Sequence, residues 1–519
     1  MRDVVQIAIA MGIYMLAVIG IGLFFAKRAN QNSENYFLGG RTLGPWIAAM
    51  SAEASDMSGW LLMGLPGVAY WCGLADATWT AIGLAVGTYL NWLLVSKRLR
   101  RYSAVADNAI TIPDFFSNRF HDKKKILMSI AAIFILVFFT VYAASCFITC
   151  GKLFSTLFGF SYTSMMIAGA IFVVVYTFLG GFLAESTSDF MQSIIMIVAL
   201  VAVLVVSTIA AGGTSQVLEN VRSIPGFFEF FGVAQPVVDG EKVQQVANGV
   251  AQFGDAGKYG FLTIISTLAW GLGYFGMPQV LLRFMAIRKV SELKRSRRIA
   301  TTWAVISMAA AVLIGLIGRV LYPTELMTSV QAENVFVLVS TKLLPPLLAG
   351  LAMAGIVAAT ISSSDSYLLI ASSAFSKNIF QGLLKKDATD KQVMTVSRIV
   401  LVLVAVIGVF LASGENKIIF KVVSFAWAGF GATFGPIMLF SLFWKRTTIQ
   451  GAVAGMLSGG AMVFIWKLLI KPMGGVFGIY ELLPAFLISC IFIVVVSLST
   501  KEPSAEILEE FEKAKTYEY

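Results

Sequence analysis

The sequence predicts an all-α integral membrane protein of about thirteen transmembrane helices, and three observations carry that prediction. Of its 519 residues 58% are hydrophobic and only 13% charged, against roughly 25% charged in soluble domains. The mean hydropathy is +0.81. Unbroken runs such as Ile126 to Cys150 and Met191 to Ala211 reach the ~20 apolar residues that a helix needs to cross a bilayer. A membrane β-barrel would alternate apolar and polar residues instead.

Taken in order, the apolar runs fall at 4–25, 46–67, 77–95, 126–150, 162–182, 189–211, 260–282, 301–321, 347–373, 396–413, 419–443, 449–468 and 481–500. The first lacks a basic leader and a small-residue cleavage site, and "AKRANQ" follows it as a stop signal does, so it reads as a retained helix. Loop 212–259 carries "VVDGEKVQQVANG" and "FGDAGK", turn-rich polar stretches expected to form a surface excursion with little part in the chemistry. The segment "KEPSAEILEEFEKAKTYEY" after the last run is expected to form a short acidic helix, too small for a catalytic or signalling domain.

Of 39 Lys and Arg, 28 lie in 26–45, 96–125, 283–300, 376–398, 445–446 and the tail, and 11 elsewhere. The heavier side is expected in the cytoplasm, which puts the N-terminus outside and the C-terminus inside. The net charge of +10 therefore serves orientation, and no nucleic-acid partner is implied. Cys72, Cys146, Cys150 and Cys490 sit within apolar segments, read as packing residues. His121, the only histidine, lies in "FHDKKK" and reads as a solvated loop residue, so an enzyme is not expected.

Two spans look broken. "GLPG" (Gly64 to Gly67) closes the second and "WGLGYFGMP" (Trp270 to Pro278) runs through the seventh. Gly/Pro interruptions in corresponding halves point to a transporter's binding site, because unwound backbone frees carbonyls and amides to hold ions and polar substrate. The competing reading is that such glycines only allow close helix packing.

Ionisable residues weigh on that choice, since a carboxylate at mid-bilayer costs about 2.5–3.5 kcal/mol on insertion scales. Asp56 lies inside the apolar stretch among Ser51, Ser55 and Ser58, and "AATISSSDSYLL" brings Ser362, Ser363, Ser364, Asp365 and Ser366 into another span. These oxygens suit a hard cation such as Na⁺. Asp189 and Glu185, in "ESTSDFMQ", read equally well as a solvated turn at the cytoplasmic interface. Trp270 and Tyr274, four apart on one helix face, and Tyr142 at mid-helix offer a small-molecule wall.

Six blocks carry a resemblance: "YFLGGRTLGPW" (36–46), "SAEASDMSGWLLMGLPG" (51–67), "TIPDFFSNRF" (111–120), "YTFLGGFLAESTSD" (176–189), "WGLGYFGMPQVLLRFMA" (270–286) and "FAWAGFGATFGP" (425–436). Together they resemble the solute:sodium symporter family, in its bacterial proline branch. The resemblance implies a LeuT-type fold. Its parts would be a leading helix and first loop (1–45), inverted five-helix repeats at 46–211 and 260–443 around the extracellular loop 212–259, trailing helices at 444–500 and a cytoplasmic tail (501–519). It implies sodium-driven import of L-proline across the plasma membrane, with Na⁺ as coupling ion.

Position by position, the resemblance implies a sodium site of Ala54, Met57 and Ala359 carbonyls with Ser362 and Ser363 hydroxyls. Asp56 would serve sodium coupling, and Asp189, Asp365 and Ser366 match a region that holds a second sodium in some members. Tyr142, Trp270 and Tyr274 would enclose proline, and Arg41 matches a cytoplasmic arginine tied to transport. Glu53 stands where the family pattern has a small residue. Rival cargoes on the same fold are pantothenate, a sugar or sialic acid, and a quaternary amine; a sensor is a rival of another class, disfavoured by the 19 residues after 500.

Overall fold

The computed structural model describes residues 2–29 and 31–517; the side chains of Lys27 and Arg28, which enter the charge count above, lie outside what it describes. Among the described residues, ten helices are long and apolar enough to span a membrane, eleven with one bent pair. Two shorter apolar helices, Trp60–Cys72 and Tyr162–Phe178, stand where further spans are expected. The all-α membrane class stands, while thirteen remains the sequence expectation.

Pro346–Ser373 is the central element: nearly every side chain from Ala349 onward is buried. It packs most heavily on Tyr162–Ala210, then on Ile126–Phe158 and Arg2–Ala29. A helix apolar all round belongs inside a bundle, and here the polar Ser362–Ser366 run is carried inside with it. By contrast Arg2–Ala29 keeps Leu16 and Phe24 exposed, as a helix at the lipid boundary does.

The runs 162–182 and 189–211 form two helices, as expected, but they meet at Gly181 (φ 57°, ψ −171°), where the chain turns sharply enough to bring Tyr176 Oη within 2.5 Å of Ser188 Oγ. Only glycine reaches that conformation cheaply. The 183–190 stretch is therefore helix interior, with Glu185 and Asp189 buried, which corrects the interfacial reading of both.

The second span breaks earlier than its glycines and proline suggest. Pro45–Asp56 ends at Met57 (φ −88°, ψ 80°), and helix resumes at Trp60 with a wide π-type turn to Gly64, continuing as Leu65–Cys72. Gly64 is helical, and Pro66 follows the π-type turn inside the continuing helix Trp60–Cys72, a distortion of the kind that accommodates a proline within a helix. The break is at Met57–Gly59. In the seventh span, Phe261–Leu268 runs into a 3₁₀ stretch, Ala269–Gly276, then bends by 44° at Met277 into Pro278–Ala286. Eight residues of 3₁₀ is long for that geometry and marks a hinge.

Loop 212–259 holds a helix, Thr214–Arg222, and two small antiparallel ribbons, one turned by Asn248 and Gly249, both with positive φ. It does not merely cover the surface. Arg319, buried in Leu293–Leu321, donates to Gln244 Oε1 at 2.5 Å, and Trp79 donates to the Phe230 carbonyl at 2.8 Å.

The tail forms the expected helix, Ala505–Thr516, and it is docked. Phe511 is buried against Tyr102, under the Arg119 guanidinium. His121 lies 3.0 Å from Glu510 Oε2 and is only a quarter exposed, so it is a contact for the tail, not a free loop residue. Lys515, hydrogen-bonded to Glu512, holds that carboxyl below the usual range.

Candidate functional site

Because Pro45–Asp56 stops one turn short of continuity, its last carbonyls lose their helical partners. Ser362 Oγ donates to the Ala54 carbonyl at 2.8 Å and lies 3.2 Å from the Ala359 carbonyl; Ser363 Oγ reaches Ala54 O at 3.3 Å. Four of the five expected sodium ligands thus converge where the broken span crosses Pro346–Ser373, and all four are buried. The fifth, Met57, is the breaking residue itself, its N–H donating to the Glu53 carbonyl at 2.9 Å. The break depends on close approach at Gly59, where an added Cβ would lie 2.3 Å from Thr149 Oγ1.

Asp56 sits at the junction of the two breaks. Its Oδ2 accepts from Tyr274 at 2.7 Å, its carbonyl accepts from Trp60 Nε1 at 3.1 Å, and Tyr142 Oη lies 3.5 Å from that carbonyl. Oδ1 has no hydrogen-bond partner in the protein. A buried carboxylate with one oxygen uncommitted attracts a cation. Glu53, fully buried, leaves Oε2 without a partner.

The three expected substrate residues do not form one wall. Tyr142 stacks on Tyr367 with centroids 4.2 Å apart and, like Tyr274, meets Asp56. Trp270 lies a turn away. It stacks on Tyr480 at 5.0 Å, and its carbonyl accepts from Trp427 Nε1 at 2.8 Å. Trp270, Phe420 and Tyr480 form part of the wall of a cavity of about 860 Å³ that Val233 and Tyr259 of the long loop also line. Glu333 lines it too, held by Lys152 at 2.6 Å and by the Ile419 and Phe420 amides at 2.9 and 3.0 Å. Trp270 is thus the point where cavity and inner site meet.

Asp189, Asp365 and Ser366 come together around a residue the sequence reading missed. Arg283, fully buried, donates to Ser51 Oγ at 2.9 Å, Asp189 Oδ2 at 3.2 Å, Ser366 Oγ at 2.9 Å and the Gln279 carbonyl at 3.1 Å, and it pairs with Glu185. Ser366 also donates to Glu185, and its amide to Asp365 Oδ1 at 2.7 Å. Arg283 therefore belongs to no loop and drops out of the orientation count. Oxygens of Glu185, Asp189 and Asp365 stay unpartnered, and of the three carboxylates Glu185 and Asp189 pair with the guanidinium.

Arg41, with positive φ, donates to Ser103 Oγ at 3.1 Å and to the Met285 and Ala109 carbonyls at 2.8 Å each. It ties the first loop to the far end of the seventh span.

A family model described as the Sodium:solute symporter family matches residues 36–459. The chain is 40% identical over 506 residues to the sodium/proline symporter of Escherichia coli (strain K12), covering 97% of this chain and 95% of that one. It is 38% identical over 516 residues to the sodium/proline symporter of Staphylococcus aureus (strain USA300 / TCH1516), with coverage of 98% and 96%. Among solved structures, a Na⁺-coupled sialic acid symporter in a substrate-bound outward-open state superposes with a TM-score of 0.75 at 18% identity, over 96% of this chain and 99% of that one. At that identity the likeness shows the fold. The chain belongs to the sodium:solute symporter family and is a multi-pass membrane transporter, not an enzyme.

Proposed function

We propose that the chain imports L-proline by symport with Na⁺ across a bacterial plasma membrane, its N-terminus outside and its C-terminus in the cytoplasm. The observation that carries the ion half is the convergence of the Ala54 and Ala359 carbonyls with Ser362 and Ser363 at the break in the second span. Neutral oxygens of this kind suit a hard monovalent cation, and Asp56 supplies the attracting charge alongside. The names of the relatives, at about 40% identity over nearly the full length, support proline as cargo.

In this reading Na⁺ binds where Met57 and Ala54 face Pro346–Ser373 and stabilises the break. Tyr274, held by Asp56, then orients the second break for the substrate. Trp270 admits proline from the cavity and Tyr142 bounds it beneath. Asp189, Asp365 and Ser366 form a polar reserve around Arg283 that either balances that cation or takes a second Na⁺. Arg41 secures the cytoplasmic end while the outer side is open. Inverted repeats at 46–211 and 260–443 rock about the site. The ion drives uptake only by binding the two arrangements unequally.

Proteoliposomes loaded without sodium test the proposal. Labelled proline is expected to accumulate when an inward Na⁺ gradient is imposed and to fall to leak level without it. Unlabelled proline should compete, and pantothenate, sialic acid and betaine should not. Sodium-independent uptake would sink the mechanism, and competition by one of the other solutes alone would move the cargo.

A further inference from the structure

A second concavity, of about 550 Å³, lies away from the ion and substrate residues, where the Leu74–Val105 and Val290–Leu321 spans meet on the charge-rich face. Five cations line it, Lys97, Arg101, Lys289, Lys294 and Arg297, with no Asp or Glu among the described lining residues, and Arg101 donates to the Lys515 carbonyl at 2.6 Å. The neighbouring acid, Glu292, is taken by Arg288, 2.8 Å away. Lys97, Lys289, Lys294 and Arg297, gathered in one hollow, repel one another unless a counter-anion sits between them.

The depth of the hollow is fixed by its surroundings. Leu93, which lines it, and Leu94 are 41% and 42% exposed, an apolar edge within one turn of Lys97. Arg297 lies over the exposed Tyr89 ring at 5.3 Å and Arg295 over the exposed Trp46 ring at 5.7 Å. Aromatics of this kind mark the headgroup level of a bilayer, and basic pockets between transmembrane helices at that level take anionic headgroups.

We propose that this pocket binds the phosphate of an anionic diacyl phospholipid, its acyl chains running along Leu93 and Leu94. A free phosphate would satisfy the charge but leave that apolar edge unused. The lipid bridges the ends of the two spans that line the pocket.

Native mass spectrometry of the purified full chain, titrated with phosphatidylglycerol and with phosphatidylcholine of the same chains, tests this. The wild type is expected to retain phosphatidylglycerol preferentially. Lys289→Gln/Lys294→Gln/Arg297→Gln should weaken that binding at least tenfold, since each cation near the surface is worth about fivefold, and leave phosphatidylcholine unchanged. Lys385→Gln/Lys386→Gln/Lys391→Gln, in another loop of the same face, should bind as wild type does. Should the first triple variant melt early, Lys294→Gln alone, at an exposed position, carries the test with an expected loss of about fivefold. Unchanged phosphatidylglycerol binding in the variants overturns the site. Displacement of the lipid by equimolar inorganic phosphate or glycerol phosphate overturns the lipid assignment.

Discussion

Tyr274 donates its phenolic hydrogen to Asp56 Oδ2 at 2.7 Å, so the break in one span is fastened to the break in another by a single bond across 218 residues. Tyr274→Phe removes the donor and leaves the Asp56 carboxylate without a partner on either oxygen, at a cost of about 1–3 kcal/mol. Sodium-dependent proline uptake in the variant should show raised half-saturation for both solutes at normal membrane abundance. An unchanged sodium requirement would mean that the bond does not join the two sites.

Ser363→Ala removes an oxygen from the converging set, and Asp56→Ala removes the charge beside it. Each should raise the Na⁺ concentration for half-maximal uptake by about tenfold, the size expected when an interaction with a charge is lost. Glu53→Gln should shift it far less. Sodium titrations of initial uptake rate compare the three, and equal shifts would overturn the division of roles.

Gly59→Ala places a Cβ 2.3 Å from Thr149 Oγ1 and 2.5 Å from its Cγ2, where real atoms cannot stay. The break must then open, and uptake should be lost. Adding Thr149→Ala clears both of those atoms and should restore part of the rate. Wild-type transport in Gly59→Ala alone would show that this approach is not needed.

Removing Arg283 leaves Glu185 and Asp189 buried without a cation, a change that costs about 3–5 kcal/mol. Arg283→Met should lower the melting temperature in detergent sharply. Arg283→Lys should rescue it only partly, because an ammonium cannot reproduce the fork that reaches Ser51, Asp189 and Ser366 together. Full thermal stability in Arg283→Lys would contradict that account.

Much of this was legible in the sequence because bilayer length and charge cost act locally. The apolar runs gave the spans, and the polar run Ser362–Ser366 inside one of them gave half the ion site. Asp56 stood out for the same reason. What stayed hidden depended on tertiary geometry. Pro66 looked like the break but lies inside a continuing helix behind a π-type turn, so the interruption fell to Met57–Gly59, where Gly59 packs closely against Thr149. Glu185 and Asp189 looked interfacial because the polar stretch between two apolar runs resembles a turn, whereas the turn falls earlier, at Gly181, and both carboxylates belong to the helix that follows it. The four-residue spacing that puts both carboxylates on one helix face was the available signal. Arg283 opened a basic stretch and was read with it; nothing local told it apart from its neighbours.

The central claim is that sodium at the Ala54, Ser362 and Ser363 oxygens prepares the protein for proline. Equilibrium binding of labelled proline to the purified chain, titrated with Na⁺, tests it without the complication of transport. Wild type should bind proline only with sodium present, and Ser362→Ala/Ser363→Ala should need at least tenfold more sodium while reaching the wild-type proline affinity at saturation. Proline binding that is equally tight without sodium, or a double variant with an unshifted sodium requirement, would contradict the account.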